Sequence, residues 1–299
     1  MTRVAARLVT ATTIGTAAAV AARAAYTVLR RRPPGGAKTW NRTNHRGETL
    51  TLLEGPAIAA GAVTAALVLG PSELGPRKAA ALALAGAGAA AFGCYDDLAG
   101  SSSRKGLRGH IGALAHGEVT TGAAKLGGIG VTGLASAALA GGDPADVAIN
   151  AALIAGGANL LNLFDLRPGR AIKVAVASSA LIEAGALAAA PALAAPLGAA
   201  VALLGEDLGE RAMLGDTGAN ALGAMLGAAA SELPRPARLA LLTGIVALTG
   251  ASEKISFTKV IERTAPLRWL DMLGRRPAAP PAAPSLPAQR SATAVPPGQ

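Results

Sequence analysis

Long apolar segments alternate with short polar segments along most of the chain. A helical membrane span needs about 20 mainly apolar residues, and several segments approach this length. They lie at about 8–29, 51–70, 79–95, 126–141, 145–163, 171–189, 192–205, 217–231 and 237–251. This pattern predicts about nine transmembrane helices, with eight or ten as alternative counts.

The composition indicates a helical membrane protein. Of the 299 residues, 51% are hydrophobic and 15% are charged, whereas a soluble domain carries about 25% charged residues. Only helices and closed barrels satisfy backbone polar groups in lipid, and the unbroken apolar runs do not match the alternating strands of a barrel. We therefore expect an all-α, polytopic membrane domain over residues 1–251, embedded in the lipid bilayer.

Two further segments follow this domain. Residues 252–276 mix Ile, Leu, Trp and Met with Lys, Arg and Glu. They fit either a cytoplasmic amphipathic element in the membrane interface or a charged exit from the last span. Residues 277–299 are rich in Pro, Ala and Ser and are predicted to form a disordered tail.

Basic residues predict the orientation in the membrane. Lys and Arg concentrate in cytoplasmic loops, and the richer set of alternate loops includes 30–46, 104–125 and 254–276. The N-terminus is therefore expected outside and the C-terminus inside. The first apolar segment is interpreted as a span and not as a signal peptide, because three arginines follow it at 30–32. The net charge is +10, but no dense basic stripe with aromatic residues indicates a nucleic-acid partner.

Four polar islands interrupt the apolar sequence, at 44–47, 96–97, 159–165 and 215–218. Each lies at the end of an apolar segment. An acidic residue at membrane depth is energetically costly and is therefore interpreted as functional. The predicted topology places all four islands on the cytoplasmic side, where together they would form a metal and phosphate site.

Each island also has a structural explanation. Asp96 and Asp97 suit a divalent cation, because Mg²⁺ prefers oxygen ligands and shares them with phosphates. Their structural alternatives are the capping of a helix end or solvation at the membrane interface. A spacing of three places Asn159, Asn162 and Asp165 near one helical face. That face suits a polar ligand, or hydrogen bonds between helices.

The remaining candidates are ambiguous from the residues alone. Asp216 opens a helix and acts either as its N-cap or as a Mg²⁺ ligand beside a phosphate at the helix N-terminus. His45 lies in a basic loop, where a histidine is more often incidental than catalytic. Lys125 lies at the start of a span. It either binds a phosphate or belongs to the excess of basic residues that cytoplasmic loops carry.

Taken in order, the islands resemble the motifs of one enzyme family. The chain is similar to the polyprenyl-phosphate N-acetylhexosamine-1-phosphate transferases, which include the phospho-MurNAc-pentapeptide translocase and the GlcNAc-1-phosphate transferases. The resemblance covers roughly residues 40–230. It consists of an Asn/His/Gly loop at 44–56 and the motifs Gly93-x-x-Asp96-Asp97, Asn159-x-x-Asn162-x-x-Asp165 and Leu214-Gly-Asp216-Thr-Gly218.

The resemblance implies Mg²⁺-dependent transfer of a sugar-1-phosphate from a UDP-sugar to a polyprenyl phosphate, with release of UMP. Mn²⁺ is an alternative cofactor. The reaction would take place at the cytoplasmic face of the plasma membrane, in cell-envelope glycan synthesis. A homodimer is a further expectation.

The resemblance also implies roles for individual residues. Asp216 would be the principal Mg²⁺ ligand, with Asp165 as a further metal ligand. Asp96 and Asp97 would form the catalytic acidic pair that activates the lipid phosphate or assists the metal. The candidates for binding the nucleotide, the pyrophosphate or a metal-bound water are Asn159, Asn162, Asp165, Lys125, His45 and Arg170.

The chain departs from the family at two places. After Asp165 the family continues with a second acidic step, whereas Arg167 and Arg170 follow here. The family's late histidine-rich loop has no counterpart, and residues 252–262 occupy its place. The alternative function is a non-catalytic paralogue that binds polyprenyl phosphate or pyrophosphate, or acts as an envelope-assembly partner. A transporter is a third hypothesis, which predicts breaks within the spans or two halves of the chain that repeat each other.

Overall fold

The structure is a computed structural model, and it describes residues 3–44, 46–99 and 120–277. Some predictions fall on other residues. They concern His45, the basic loop at 104–110 and the predicted tail beyond residue 277, which lie outside the described part of the chain.

The described residues are mainly helical, and the remaining regular structure is one short hairpin. The hairpin pairs β1 (Asn41–Thr43) with β2 (Thr49–Thr51) in antiparallel orientation. Short 3₁₀ turns lie at Leu187–Ala189 and Ala230–Glu232. The α-helices of the described residues are α1 Arg3–Arg31, α2 Ala37–Trp40, α3 Glu54–Val68, α4 Gly70–Leu74, α5 Pro76–Ala99, α6 Thr121–Ala140, α7 Pro144–Phe164, α8 Arg170–Gly185, α9 Ala190–Leu208, α10 Gly215–Ala229, α11 Arg235–Ser252, α12 Phe257–Arg263 and α13 Ala265–Met272.

Each apolar segment predicted from the sequence contains a helix: α1, α3 and α5 to α11. Among the described residues, five helices are long and apolar enough to cross a membrane, namely α1, α5, α6, α7 and the unit Leu187–Leu208 that contains α9. A sixth is obtained if α11 and α12 are taken together, although a bend of 96° separates them. The chain is therefore a helical protein with five to six candidate membrane spans.

Helix α10 lies at the centre of the bundle. Nearly all of its residues are buried, and it packs against α3, α5, α7 and α9. Its sequence consists largely of Gly and Ala. Small residues let helix backbones approach closely, which is the main source of helix packing in a lipid environment. This composition explains how a helix of 15 residues is surrounded on several sides.

The β1–β2 hairpin attaches the first loop to the segment that precedes α10. Thr51 donates from its backbone N–H to Arg211 O at 3.2 Å and accepts from Met213 N at 3.0 Å. The backbone N–H of Leu52 donates to Trp40 O at 2.9 Å. These bonds bring the first polar island to the end of the bundle at which α10 begins.

Candidate functional site

Three charged side chains from three helices meet at this end of the bundle. Asp96 lies in the last turn of α5, Lys125 near the start of α6 and Asp216 in the first turn of α10. Lys125 Nζ lies 2.8 Å from Asp96 Oδ2 and forms a second, short ion pair with Asp216 Oδ2. The side chains of Asp96, Lys125 and Asp216 remain 18%, 13% and 26% exposed. The cluster is therefore accessible to a ligand.

Asp97 has different partners from its neighbour. Its Oδ1 accepts a hydrogen bond from the backbone N–H of Asp216 at 2.9 Å. Its Oδ2 accepts from the backbone N–H of Thr217 at 2.9 Å and from the Thr217 hydroxyl at 2.6 Å. The first N–H groups of a helix have no partner within it, so Asp97 caps α10 from another helix. The N-cap position is Leu214, without a side-chain cap bond, and the alternative in which Asp216 caps its own helix is wrong.

Two glycines permit this contact between α5 and α10. A Cβ added at Gly93 would lie 2.3 Å from the backbone O of Asp216, so a larger residue would separate the helices. Gly215 has a φ of 61°, in the left-handed region that glycine adopts without steric cost. The close approach accounts for the glycine that precedes the Asp96-Asp97 pair.

A cavity of about 270 Å³ lies at the same end of the bundle, where its wall includes residues that follow α7 and residues that precede α10. Asp165, directly after α7, lines it. Asn44, Arg167 and Glu210 contribute further polar groups to its wall. The volume is close to the lower end of the roughly 300–1,000 Å³ of small-molecule pockets.

Buried acids near this cavity were missed by the sequence analysis. Glu54 and Asp207 are 0% and 2% exposed, and Glu210 is also buried. Both carboxylate oxygens of Glu54, and one oxygen each of Asp165 and Asp207, have no hydrogen-bond partner within the described part of the chain. Glu54 and Asp207 lie at the ends of apolar segments, so the rule that selected the polar islands would also have found them.

The first polar island organises its own loop. Asn44 Nδ2 donates to Glu210 Oε2 at 2.9 Å, and Arg46 Nε pairs with Glu210 Oε1 at 3.0 Å. Asn44 Oδ1 accepts from the backbone N–H groups of Arg46 and Glu48, which is a common way for asparagine to stabilise a turn. These contacts fix the loop onto the segment before α10.

The third polar island is divided between two environments. Asn159 Nδ2 lies 3.4 Å from Thr249 Oγ1 of α11, so this amide forms the hydrogen bond between helices that was its alternative explanation. Asn162 is half-buried. Asp165 lines the cavity. Of these three residues, Asp165 is therefore the one that the structure connects with the Asp96–Lys125–Asp216 cluster.

Arg170 has a structural contact in place of the expected substrate contact. It is 3% exposed, and its Nε and Nη2 donate to the two oxygens of Asp271 at 2.6 and 3.2 Å. Its Nη1 donates to Thr258 Oγ1 at 2.9 Å. Because these bonds occupy its guanidinium, Arg170 binds the C-terminal segment of the chain itself.

The donor set of the cluster fits a metal ion that is shared with a phosphate. Within the described residues, no group of three or more His, Cys, Asp or Glu side chains could hold a metal ion by itself. The oxygens of Asp97 accept bonds from the N-terminus of α10, which leaves Asp96 and Asp216, both paired with Lys125, as the carboxylates that could contact an ion. Mg²⁺ commonly binds through one or two carboxylates together with water and substrate phosphates.

No protein-family model matches the chain, and no curated protein matches it. The site itself therefore indicates what the protein can bind. Four acids, Asp96, Asp97, Asp165 and Asp216, surround a region in which Lys125 is the basic side chain of the cluster. Such a concentration of negative charge favours a cation.

Proposed function

We propose that this chain is a membrane-bound phosphotransferase that moves a sugar-1-phosphate from a UDP-sugar to a polyprenyl phosphate and releases UMP. The observation that carries the proposal is the meeting of Asp96, Lys125 and Asp216, from three helices, at the same end of the bundle as a cavity that Asp165 lines. The order of the motifs that contain these acids is similar to that of the polyprenyl-phosphate N-acetylhexosamine-1-phosphate transferases.

Asp96 and Asp216 are proposed to hold Mg²⁺, with Mn²⁺ as an alternative, together with phosphate oxygens of the substrates. The ion, when bound, neutralises charge on the phosphoryl group that is transferred. Lys125 would contact a phosphate oxygen once a ligand draws it away from one carboxylate. Asp97 acts indirectly, since its bonds to the backbone of Asp216 and to Thr217 hold the first turn of α10 in place.

The proposed reaction depends mainly on positioning and charge neutralisation. An oxygen of the polyprenyl phosphate forms a bond to the β-phosphorus of the UDP-sugar, while the bond from that phosphorus to the oxygen of the UMP leaving group breaks. The cavity would take the nucleotide part of the donor. Asp165 and Asn44 provide polar contacts at its wall, and Arg167 provides a positive charge for a phosphate.

We also infer the membrane topology that the reaction requires. In this proposal α1, α3 and α5 to α11 are nine spans, with the N-terminus outside and the C-terminus inside. The excess of Lys and Arg in the loops at the end of the bundle with the cluster supports this orientation. The Asp96–Lys125–Asp216 cluster would then lie at the cytoplasmic face of the plasma membrane.

The activity is tested with purified protein in lipid nanodiscs, supplied with polyprenyl phosphate, Mg²⁺ and one of several UDP-sugars, starting with UDP-GlcNAc. We expect UMP release by the wild-type protein and a loss of about 100-fold or more in Asp216→Asn. Glu73→Gln is the matched control, because Glu73 is exposed in α4 at the opposite end of α3 and α5. Equal rates for wild type and Asp216→Asn would contradict the proposal.

One observation supports a second function, the binding of polyprenyl phosphate or pyrophosphate without catalysis, as in a partner for envelope assembly. Lys125 lies between Asp96 and Asp216 and already neutralises the carboxylates that a metal would bridge. A protein of this kind would bind polyprenyl phosphate and release no UMP from any UDP-sugar. Lys125→Gln would weaken that binding, whereas Asp216→Asn would not.

A further inference from the structure

The chain turns sharply after α11. Helix α11 ends at Ser252, and α12 begins at Phe257 with an axis bent by 96° from that of α11. A helix nearly perpendicular to a membrane-directed helix lies nearly in the plane of the membrane. Phe257 stacks on Phe164 at the end of α7, with ring centroids 5.1 Å apart. This contact holds α12 at the end of the bundle that carries the polar cluster.

Asp271, the buried residue of α13, is turned toward the protein. Asp271 is 8% exposed and binds the guanidinium of Arg170 through both oxygens. Arg275 Nη1 donates to Asp271 Oδ2 at 2.7 Å. Lys173 Nζ donates to the backbone oxygens of Leu270 and Asp271 at 3.1 and 2.7 Å. Together these bonds determine the rotation of α13 about its own axis.

The apolar face of α13 is turned away from the protein. Its large side chains are between 42% and 65% exposed, with Trp269 the most exposed of them. They are Leu267, Trp269, Leu270 and Met272, and Leu273, directly after the helix, is exposed as well. A helix on the surface of a soluble protein has the opposite arrangement, with its apolar stripe against the core. The orientation of α13 therefore indicates an apolar environment on its outer side.

The same segment is basic where it is exposed. Its exposed charged residues around α12 and α13 are five basic and two acidic ones, namely Lys254, Lys259, Arg263, Arg268, Arg276, Glu253 and Glu262. Basic residues next to a membrane are attracted to the negative surface potential of anionic lipids. An apolar face flanked by basic residues is typical of helices that lie in the membrane interface.

We propose that α12 and α13 form a membrane-surface anchor, whose apolar face lies among the headgroups and upper acyl chains of a leaflet that contains anionic phospholipid. Trp269 has the amphipathic ring that is enriched at this depth, and the exposed basic residues contact lipid phosphates. Through Arg170 and Lys173 the anchor ties the start of α8 to the membrane surface. The anchor does not depend on the proposed transfer reaction.

The depth of Trp269 is the direct test. The full-length protein is placed in phosphatidylcholine nanodiscs whose acyl chains carry bromine, which quenches tryptophan emission on contact. The chain has two tryptophans; Trp40 is buried, so the signal of Trp269 is obtained as the difference between wild type and Trp269→Phe. A side chain about 5–10 Å into the interface should be quenched more strongly by bromine near the headgroups than by bromine near the chain ends.

Two results would overturn the anchor. Emission from Trp269 at the long wavelength typical of water, unaffected by either bromolipid, would place α13 in solvent. Short-wavelength emission without quenching would show that protein covers the face, for example a second copy of this chain. The exposed position of Trp269 makes the Trp269→Phe variant compatible with folding, and gel filtration checks this.

A second measurement tests the lipid charge. In nanodiscs of phosphatidylcholine and phosphatidylglycerol in equal amounts, bromine is placed on one lipid or the other. Trp269 should lose more emission when the phosphatidylglycerol is brominated, because that lipid is enriched beside α13. The preference should disappear, with quenching retained, in a variant that combines K254Q, K259Q, R263Q and R268Q. Equal quenching of the wild-type protein by the two brominated lipids would show that anionic lipid is not enriched beside α13, and would overturn that part of the proposal.

Discussion

Asp96 and Asp97 are neighbours in the sequence but have different partners in the structure. Successive residues of a helix point about 100° apart. Asp96 consequently shares the Lys125 ammonium with Asp216, while Asp97 accepts three hydrogen bonds from the first turn of α10. Asp96 therefore belongs to the ion-paired cluster, whereas Asp97 positions the helix that carries Asp216.

The Thr217 hydroxyl tests the positioning role of Asp97. Thr217→Val removes the O–H that donates to Asp97 Oδ2 and retains the backbone N–H bond. A hydrogen bond to a charged group contributes about 1.5–3 kcal/mol, so we expect a lower melting temperature in nanodiscs. Thr217→Ser keeps the hydroxyl and should retain most of the stability. A loss in Thr217→Ser as large as that in Thr217→Val would contradict the role of the hydroxyl, because Ser retains the O–H that donates to Asp97.

Lys125 is expected to stabilise the fold as well as the site. Lys125→Gln leaves the Asp96 and Asp216 carboxylates near each other without the cation between them, and their repulsion should lower the melting temperature. Adding Asp96→Asn removes that repulsion and should restore part of the loss. A double-mutant cycle on thermal unfolding should give a coupling of about 1–3 kcal/mol. Additive effects of the two substitutions would contradict this account.

At the scale of elements, the site depends on how closely α5 approaches α10. Gly93→Ala would place a Cβ 2.3 Å from the backbone O of Asp216, and overpacking of this kind costs about 1–3 kcal/mol. We expect lower thermal stability and weaker binding of any ligand that uses both Asp96 and Asp216.

Gly130→Ala is the matched control for Gly93→Ala. Gly130 lies in α6, and a Cβ there would meet nothing within 4 Å. Alanine is favoured over glycine in a helix by about 1 kcal/mol, so this variant should be neutral or slightly more stable. Similar losses of thermal stability in both variants would show that any alanine within these helices is destabilising, and that the contact of Gly93 with α10 is not the cause.

The attachment of the C-terminal segment depends on two ionised acids. Hydrogen bonds from Arg276 and Asn44 lower the pKa of Glu48 to about 2. Burial by itself raises the pKa of Asp271, but the hydrogen bonds of Arg170 and the charges of Arg170 and Arg275 outweigh it, and the pKa of this acid lies below its ordinary value. A carboxyl group with a lowered pKa stabilises the attached state above its ordinary pKa of about 4.

The sign of the pH effect follows from these lowered pKa values. Attachment of α12 and α13 should be complete near neutral pH and should weaken as the pH falls from about 4 toward 2. Hydrogen exchange of residues 257–276, corrected for the intrinsic pH dependence of exchange, measures this loss of protection. Glu48→Gln should reduce protection already at neutral pH. Greater protection in acid would contradict the assignment.

At the scale of the whole molecule, the two ends of the bundle differ in character. One end carries the Asp96–Lys125–Asp216 cluster and the acidic cavity. The other carries surface ion pairs, in which Arg235 pairs with Asp143 and Asp146. Hydrogen bonds from the backbone of Asp146 and from Arg235 lower the pKa of Asp143. These exposed pairs suit a helix end in water, and they leave the candidate chemistry at the opposite end.

This difference between the ends makes the proposed orientation testable. In a Cys94→Ala background, single cysteines are introduced as Glu73→Cys, between α3 and α5, and Lys254→Cys, after α11. A membrane-impermeant maleimide should label Glu73→Cys in intact cells and Lys254→Cys only after lysis. The reverse pattern would place the cluster outside the cell and would contradict a reaction that uses cytoplasmic UDP-sugars.

The helices were predictable from the sequence because apolar composition and segment length are local properties. Each predicted apolar segment contains a helix, and the islands at 96–97, 159–165 and 215–218 lie at helix ends, whereas the island at 44–47 falls between β1 and β2. Span length is harder to predict, since the sequence pattern alone does not show that α10 is a helix of 15 residues held among its neighbours. The contacts of Arg170 were not predictable from local pattern, because its partner Asp271 lies 101 residues away.

By itself, the sequence determined an all-helical protein of apolar segments with acids at the segment ends, since hydrophobicity and helix length act along neighbouring residues. Only the tertiary structure decided what each acid does. Lys125 and Asp216 are 91 residues apart, and their pairing depends on the packing of small residues between α5, α6 and α10. The same packing placed Asp96 and Asp216 on either side of Lys125 and made Asp97 the cap of α10, while contacts with Arg170 and Lys173 oriented α13.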